Sequence, residues 1–285
     1  MNKKSADLTK PSTQLDPEDI EVPLLVEAIF QRWGYDFRDY APASLKRRIR
    51  RIVELEKLPS ISALQEKLLR DSPSMQRFLD QVTVNVTSMF RDPGFYRAFR
   101  TAVVPLLKEQ RSLRIWHAGC ATGEEVYSMA ILLHEEGLLS RTRIYATDLD
   151  QAALDTAKEG IYRLDLMKEY TENYQTAGGK GAFSEYYQAG HGRVVMHKDL
   201  LKNIVWARHN LVTDASFNEF HLILCRNVLI YFNARLQGRA HRLFYTSLAE
   251  GGVLVLGRQE TIQLTPHESH YRVLNGREKI FQRMI

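Results

Sequence analysis

A turn of small residues that leads directly into two glutamates is the stretch of this chain best suited to chemistry. Gly119, Ala121 and Gly123 fall in the turn, and Glu124 and Glu125 open the helix that follows. Glycines let a backbone approach a ligand closely, and a helix start carries free N–H groups. A dinucleotide turn would need glycines at 121 and 124, and the two carboxylates would repel a pyrophosphate. The pattern favours a ligand with an ammonium group and no phosphate, such as S-adenosylmethionine (SAM).

Each of these residues also has a simpler interpretation. Acidic residues in the first turn stabilise a helix through its dipole, which could be the whole role of Glu124 or Glu125. Cys120 in the same turn could be a nucleophile, but no histidine or acid stands at a recognisable spacing, which favours a small turn residue. The histidines show no metal-ligand spacing, so we predict no metal site.

A second candidate position follows the next apolar run. Asp148 ends the segment 143–147 and lies about one strand–helix–strand unit beyond Gly119. An acid at the carboxyl end of the second strand binds ribose hydroxyls in α/β nucleotide sites. We therefore predict this role for Asp148, and we predict that Asp150 caps the helix 151–159.

A third candidate stretch precedes the glycine turn. Asn85, Thr87 and Arg91 stand among apolar residues, and Asp92 with Pro93 then starts a helix, with Asp92 as its cap. A linker between domains would explain the position of this stretch. It would not explain so many hydrogen-bonding side chains in so few residues, which favours a contribution to the site.

Alternating strands and helices must position these groups. Apolar runs predict parallel strands at 113–116, 143–147, 220–225 and 253–257. Helical spacing predicts helices at 124–134, 151–159 and 234–249, the last capped by Asn233. Asn275-Gly276 predicts a terminal hairpin of strands 271–274 and 279–283. These elements indicate an α/β domain over residues 99–285.

Four further regions complete the predicted organisation. The weak periodicity at about 170–209 predicts a small antiparallel β insertion, with strands near 186–187, 193–196 and 204–207. Ahead of the α/β domain we predict a mobile polar arm at 1–20, a small all-helical domain at 21–81 and a linker at 82–98 that contributes to the site.

One predicted helix, 45–57, has a strongly basic face. Lys46, Arg47, Arg50 and Arg51 lie on it, opposite an apolar face, and no acid interrupts residues 46–51. Such a face is either a solvated surface or a docking surface for an acidic partner. The net charge of the whole chain is only +5, so this cluster is a local feature.

Composition indicates the compartment. The chain has 44% hydrophobic and 26% charged residues, which is ordinary for a globular protein. The N-terminus has no apolar segment of a signal peptide, and no apolar run approaches the roughly 20 residues of a membrane span. Two cysteines indicate a reducing compartment. We therefore expect a cytoplasmic protein without membrane insertion.

Four motifs together resemble the chemotaxis receptor methyltransferase family, CheR. They are Asn-x-Thr-x-x-x-Arg at 85–91, GCATGEE at 119–125, ATDLD at 146–150 and CRNVLIYF at 225–232. The resemblance runs from about Val22 to the C-terminus. It implies a helical N-terminal domain, a Rossmann-like SAM domain and a small β insertion. The implied activity is transfer of a methyl group from SAM to glutamates on the cytoplasmic helices of chemoreceptors, which leaves S-adenosylhomocysteine and a methyl ester.

The resemblance also assigns residues. Those that would line the SAM pocket are Asn85, Thr87, Arg91, Glu125, Asp148, Asn210, Leu211 and Asn227. Arg91 and Tyr231 would flank the reacting carboxylate, which is ionised near neutral pH and needs no general base. The chain departs from the family at His221, where an acid is usual. In some members the β insertion binds a receptor C-terminal peptide, which the resemblance makes a further candidate partner here, but the Gly-rich loop of this insertion does not clearly match the peptide-binding form.

Two other functions compete with this one. The chain could be a SAM-binding or scaffolding module of a signalling complex without turnover, but Arg91 and Tyr231 argue against that interpretation. Methylation of nucleic acid would use the basic face. The chain lacks an Asn/Asp-Pro-Pro-Tyr type base pocket and a basic stretch interleaved with aromatic residues, so we expect no nucleic-acid partner.

Overall fold

The computed structural model describes residues 15–83, 87–263 and 265–284. The chain divides into two compact units. Among the described residues, the first consists of 15–38 together with 42–78, and the second of 39–41 and those from 79 onward. The short segment 39–41 therefore leaves the helical unit and belongs to the larger one.

The first unit is built from helices, as predicted. They are α1 Pro17–Trp33, α2 Pro42–Leu55, α3 Ile61–Arg70 and α4 Ser72–Val82, which ends beyond this unit. Each helix up to α3 contributes fully buried aliphatic side chains, among them Leu25, Ile49 and Leu64. Burial of one apolar face per helix is what holds such a small unit together.

Two helix starts differ from the prediction. Helix α1 begins inside the predicted arm, because Pro17 takes the first helical position and Asp16 accepts a hydrogen bond from the backbone N–H of Glu18. Residues 1–14, the rest of that arm, lie outside the described residues. Helix α2 begins at Pro42 rather than after Ser44. Gly34 ends α1 in the left-handed conformation, with a φ of 77°.

The second unit contains ten strands among its described residues. They are β1 Leu113–Ala118, β2 Thr142–Asp148, β3 Ile161–Arg163, β4 Tyr187–Gly190, β5 Arg193–Met196, β6 Ile204–Arg208, β7 Phe220–Cys225, β8 Leu248–Leu256, β9 Tyr271–Asn275 and β10 Ile280–Arg283. Its helices are α5 Pro93–Ala102, α6 Val104–Lys108, α7 Glu124–Glu135, α8 Gln151–Glu159, α9 Met167–Thr176 and α10 Ala234–Ser247.

The main sheet has the order β6-β2-β1-β7-β8-β10-β9. Strands β6, β2, β1, β7 and β8 pair in parallel, and β10 pairs antiparallel with both of its neighbours. The chain runs from β1 outward through β2 to β6, and then returns to place β7 on the other side of β1. In open α/β sheets, ligands bind outside the carboxyl ends of the strands at such a reversal. The predicted α/β fold is confirmed.

Strand β1 lies at the centre of two hydrophobic clusters. Ile115 belongs to one, together with most of α7, and Trp116 belongs to the other, where it packs against Phe220 and Phe244. Successive side chains of a strand point to opposite faces of the sheet. Burial on both faces fixes the height and direction of β1, and therefore the position of the turn that follows it.

The β insertion is present, but its predicted extent was wrong. Its three strands are β3, β5 and β4, all antiparallel, so Ile161–Arg163 belongs to it. The segment Ile204–Arg208, predicted as part of the insertion, is β6 and pairs in parallel with β2 from Ile144 to Asp148. Pairing with a strand some 60 positions away in sequence cannot be inferred from local alternation.

Helix α9 was also missed. Its buried residues Met167, Tyr170 and Tyr174 have helical spacing, but the pattern depends on tyrosines in a polar context. The terminal hairpin of β9 and β10 was predicted correctly, although its turn includes the residues through Lys279 instead of a two-residue Asn-Gly turn. No helix in the described parts of the chain is long and apolar enough to cross a membrane.

Candidate functional site

The turn after β1 is fixed by hydrogen bonds to the neighbouring strand. The backbone N–H groups of Gly119 and Cys120 donate to the carbonyl of Thr147, at 2.8 and 2.9 Å. Gly119 has a φ of 81°, and a Cβ added there would lie 2.5 Å from Cγ2 of Val228. Glycine is therefore required, both for the backbone conformation and for the close approach of the loop after β7.

Asp148, at the carboxyl end of β2, faces this turn. It is 9% exposed, its Oδ2 accepts the N–H of Ala121 at 2.8 Å, and its Oδ1 accepts the N–H of Asp150 at 3.0 Å. Burial raises its pKa. Asp150 caps α8 as predicted, because its side chain accepts the N–H groups of Ala152 and Ala153. Asp148 thus lies where the sequence predicts it, and its binding of a ribose stays a prediction.

The other predicted pocket residues follow neighbouring strands. The N–H of His209 donates to the carbonyl of Asp148 at 3.1 Å, which places Asn210 and buried Leu211 beside the end of β2. Asn227 follows β7 in a left-handed conformation with a φ of 62°. Thr87 is half-buried and Asn85 lies outside the described residues. The carboxyl ends of β1, β2, β6 and β7 thus bring these segments to one edge of the sheet.

The two glutamates that open α7 have different environments. Oε1 of Glu125 lies 3.0 Å from Nδ1 of His117, and Oε2 accepts Nη1 of Arg226 at 3.0 Å. Burial alone would raise the pKa of Glu125, but its hydrogen bond with His117 and the charge of Arg226 lower it overall. Glu124 accepts the hydroxyl of Thr122, and burial raises its pKa. Glu125 therefore is more than a helix-start charge, since specific partners hold it as a carboxylate.

Arg226 was not singled out from the sequence. Its side chain is 2% exposed, and besides Glu125 it contacts Asp92, with Nη2 to Oδ2 at 2.8 Å. The guanidinium also lies over the ring of Phe95, 4.2 Å from its centroid. The sequence feature that marks it is an arginine placed directly after a strand that ends in four apolar residues, 222–225. Glu125, Arg226 and Asp92 form what we call the buried ionic cluster.

Asp92 does not have the predicted capping role. It directly precedes α5, but its side chain forms no capping hydrogen bond, and its φ is 57°. Its carboxylate contacts Arg226 and, at 3.5 Å, Nη1 of Arg258. The carboxylate oxygens of Asp92 thus contact two guanidinium groups instead of the backbone N–H groups of the first turn of α5. Charge-assisted hydrogen bonds are stronger than those to neutral donors.

The backbone on both sides of Arg91 is held in an unusual conformation. Phe90 and Asp92 have φ values of 53° and 57°, in the left-handed region. Such residues cost about 1–3 kcal/mol each and persist only where surrounding contacts determine them. Phe90 is anchored by the hydroxyl of Ser128, which accepts its N–H at 2.8 Å, and by packing against Tyr174. Half-buried Arg91 is thus presented from a fixed backbone.

Tyr231 is presented by the loop after β7. It ends a single helical turn, Leu229–Tyr231, and is half-buried. Its N–H donates to the carbonyl of Val228 at 3.1 Å, and its carbonyl accepts the N–H of Ala41 at 2.8 Å. The loop is therefore fixed at its far end by the segment 39–41 of the same unit.

Two doubts from the sequence are resolved. His221 lies at the amino end of β7, where its Nδ1 accepts the N–H of Arg114 at 3.0 Å. Position 221, where the family usually has an acid, therefore does not lie at the carboxyl edge of the sheet. Cys120 is buried, which raises the pKa of its thiol well above the ordinary value. A thiol kept protonated is a poor nucleophile, in agreement with a turn residue.

The basic face of α2 is less free than its sequence suggests. Nζ of Lys46 contacts Asp16 and Asp19 at 2.9 and 2.6 Å, and Arg50 pairs with Glu18. These acids lie at the start of α1, about 30 positions away, and so escaped the local charge count. Within the described residues, exposed Arg47 and Arg51 form no ion pair.

Comparison with known proteins agrees with this architecture. Residues 85–280 match the family model of the CheR methyltransferase, SAM binding domain, and residues 20–83 match that of the CheR methyltransferase, all-alpha domain. Cher3 of Pseudomonas putida is 49% identical over 265 residues, which cover 93% of this chain and 97% of that protein. A chemotaxis protein methyltransferase of Listeria monocytogenes is 34% identical over 245 residues, 85% of this chain and 90% of that protein.

Proposed function

The chain belongs to the CheR methyltransferase family, and from that premise we propose that it transfers the methyl group of SAM to glutamate side chains on the cytoplasmic helices of chemoreceptors. The relative from Listeria monocytogenes, and another from Pseudomonas aeruginosa that is 29% identical over 80% of this chain and 84% of its own length, are named chemotaxis protein methyltransferases. The product is a glutamate methyl ester, the modification used in sensory adaptation.

The residues at the carboxyl edge of the sheet fit SAM. Glu125 is a carboxylate of lowered pKa, suited to a ligand with an ammonium group, and buried Asp148 is suited to ribose hydroxyls. Asn210, Leu211 and Asn227 supply polar and apolar lining from the adjacent loops. When bound, SAM supplies a methyl group attached to a positively charged sulfur.

The protein then has to orient a carboxylate rather than activate it. A glutamate is ionised near neutral pH, since its ordinary pKa is about 4.3. The planar guanidinium of Arg91 is suited to hold such a carboxylate in one plane, and the hydroxyl of Tyr231 to donate one further hydrogen bond. The fixed backbone around Arg91 is the observation on which this proposal depends most. Alignment of the reacting atoms is the main contribution expected from the enzyme.

The direct test is transfer of labelled methyl groups to a receptor fragment that contains the cytoplasmic helices. The label should be released by alkali, as methyl esters are, and should disappear when the methylated glutamates are changed to glutamine. SAM binding without any transferred label would contradict the proposal and would favour a non-catalytic SAM-binding module.

Asp148→Ala is expected to weaken SAM binding by about 1–3 kcal/mol, the cost of losing hydrogen bonds to a charged group. Isothermal titration calorimetry would measure it, with Asp155→Ala as the control, since Asp155 is an exposed acid of the next helix. Circular dichroism must show that both variants are folded, because Asp148 also accepts the N–H of Ala121. Unchanged SAM affinity in folded Asp148→Ala would remove this residue from the pocket.

The basic face of α2 is proposed to meet the acidic surface of the receptor helices. Arg47 and Arg51 are its best candidates, because Lys46 and Arg50 are already paired with acids of α1. Attraction between exposed charges is screened over about 8 Å at physiological ionic strength. An interface of this kind should therefore be sensitive to salt.

Reversing both charges, Arg47→Glu with Arg51→Glu, is expected to raise the KM for receptor by roughly 10-fold or more at low salt, because like charges would then face each other. The kcat and the SAM affinity should change little. The matched control is Arg111→Glu with Arg143→Glu, two exposed arginines at the amino ends of β1 and β2. Equal receptor KM values for the two double variants would identify the basic face as a solvated surface.

A further inference from the structure

Glu260 is a buried carboxylate without a cation beside it among the described residues. It is 4% exposed and lies shortly after β8. Instead of a basic side chain, four backbone N–H groups contact it. Its Oε1 accepts from Val228 and Leu229 at 2.8 and 2.7 Å, and its Oε2 accepts from Asn227 and Gly257 at 3.1 and 2.5 Å.

Three of these donors are consecutive residues of the loop after β7. Successive N–H groups in a turn, with one residue in the left-handed conformation, form a concave site for an anion. Asn227 supplies that conformation, with a φ of 62°. Here an internal carboxylate, that of Glu260, occupies the concave site.

The approach between the two segments depends on small residues. A Cβ added to Gly257 would lie 2.8 Å from the backbone nitrogen of Asn227 and 2.8 Å from Oε2 of Glu260. On the outer side of the loop, Nε2 of Gln237 donates to the carbonyls of Leu229 and Phe232, both at 3.0 Å. The loop is thus bound through its N–H groups by Glu260 and through its carbonyls by Gln237.

The same loop carries the groups that the proposed function requires. Arg226, which directly precedes the three donors, holds Glu125 in the buried ionic cluster. Asn227 is one of the donors, and Tyr231 follows them by two residues. Without Glu260, the N–H groups of this loop would have no fixed partner. The loop would then carry these three residues on a backbone that also contains a strained residue.

We propose that Glu260 is a positioning residue, whose carboxylate fixes the loop 226–231 so that Asn227 and Tyr231 are presented to SAM and to the substrate carboxylate. The inference rests on the proposed function and extends it to a residue that touches neither substrate. An apolar residue of the same volume would leave four backbone N–H groups without this acceptor, so the contact depends on the two oxygens of the buried Glu260 side chain.

Glu260→Gln tests the proposal, because the side chain keeps its size but has one acceptor oxygen and one donor NH₂ group. Either orientation of the amide satisfies one pair of N–H groups and opposes the other. We expect a fall in kcat on the order of 10- to 100-fold at saturating SAM and receptor. Hydrogen–deuterium exchange of the amides at 227–229 should accelerate by roughly 10-fold, the effect of one lost hydrogen bond.

Glu135→Gln is the matched control. The Glu135 side chain is 3% exposed and also accepts from several donors, among them the hydroxyls of Tyr174 and Tyr186 and the N–H of Lys180, but it ends α7 away from the loop. Glu135→Gln should lower the melting temperature about as much as Glu260→Gln does, while kcat and amide exchange at 227–229 stay near the wild-type values. If both variants lose kcat in proportion to melting temperature, or if Glu260→Gln keeps wild-type kcat, the proposal is overturned.

A second variant and two measurements without receptor distinguish a failure to fold, a failure of the proposed function and a failure of the role of Glu260. Glu260→Asp keeps the charge and both oxygens on a shorter side chain, so it should be folded where Glu260→Gln is not, and should show smaller losses of the same kind. If the wild-type protein transfers no methyl group to receptor, the proposed function fails. Exchange at 227–229 and SAM affinity would still decide the role of Glu260, since both depend on the loop and neither needs a receptor.

Discussion

Replacing Arg91 by lysine is expected to lower the rate of methyl transfer on the order of 100-fold, although the fold and the positive charge are kept. A lysine ammonium is a point charge and cannot hold a carboxylate in one plane as a guanidinium does. Misalignment of the attacking oxygen then dominates the loss. Arg91→Ala should lower the rate further. Tyr231→Phe should lower it less, because the tyrosine contributes only one hydrogen bond.

Single-turnover methyl transfer would measure these effects, together with SAM affinity and thermal melting of each variant. Arg97→Lys is the control, since Arg97 is an exposed arginine on α5 close in sequence to Arg91. A near-normal rate for Arg91→Lys would contradict the orienting role. A large fall in melting temperature with a normal rate would instead identify Arg91 as a structural residue.

The parts of the fold that could be predicted are those that depend on neighbouring residues. The glycine turn at 119–123, the caps Asp150 and Asn233, and the hairpin at 271–283 were all recognised from short patterns. Turn chemistry and caps act over three or four residues, so the information is contained in a short window. The same holds for the carboxyl end of an apolar strand, which marks Asp148, whereas Asn227 is assigned only by the family resemblance.

The missed features depend on partners distant in sequence. Arg226 contacts Asp92, 134 positions away, and Glu260 contacts a loop more than 30 positions away. Lys46 is neutralised by α1 acids 27 and 30 positions away, and β6 pairs with β2 across the insertion. Periodicity and composition give the type of each side chain but not its partner. The predicted roles of Asp92 and of the basic face changed for that reason.

Arg226→Met is expected to destabilise the protein by about 3–5 kcal/mol, the usual cost of removing one partner from a buried ion pair. Methionine approximates the length of the side chain, so the loss comes mainly from Glu125 and Asp92, which no longer have the guanidinium between them. Arg226→Lys should lose less, because it keeps the charge but not the fork. The control is Arg114→Met, which breaks the exposed pair with Glu219 and should cost less than about 1 kcal/mol.

The pH dependence of this loss distinguishes a charge effect from a packing effect. In the wild-type protein the folded state lowers the pKa of Glu125 below its ordinary 4.5, so the stabilisation is present above that pH and is lost as pH falls further. In Arg226→Met, burial without the arginine should raise that pKa instead. The penalty is then largest near neutral pH and shrinks as acid protonates Glu125. Chemical denaturation of both proteins from neutral pH down to about 5 should therefore show converging free energies of unfolding. A constant difference over that range would mean that Arg226 stabilises the site through packing on Phe95, and that the buried ionic cluster contributes little through its charges.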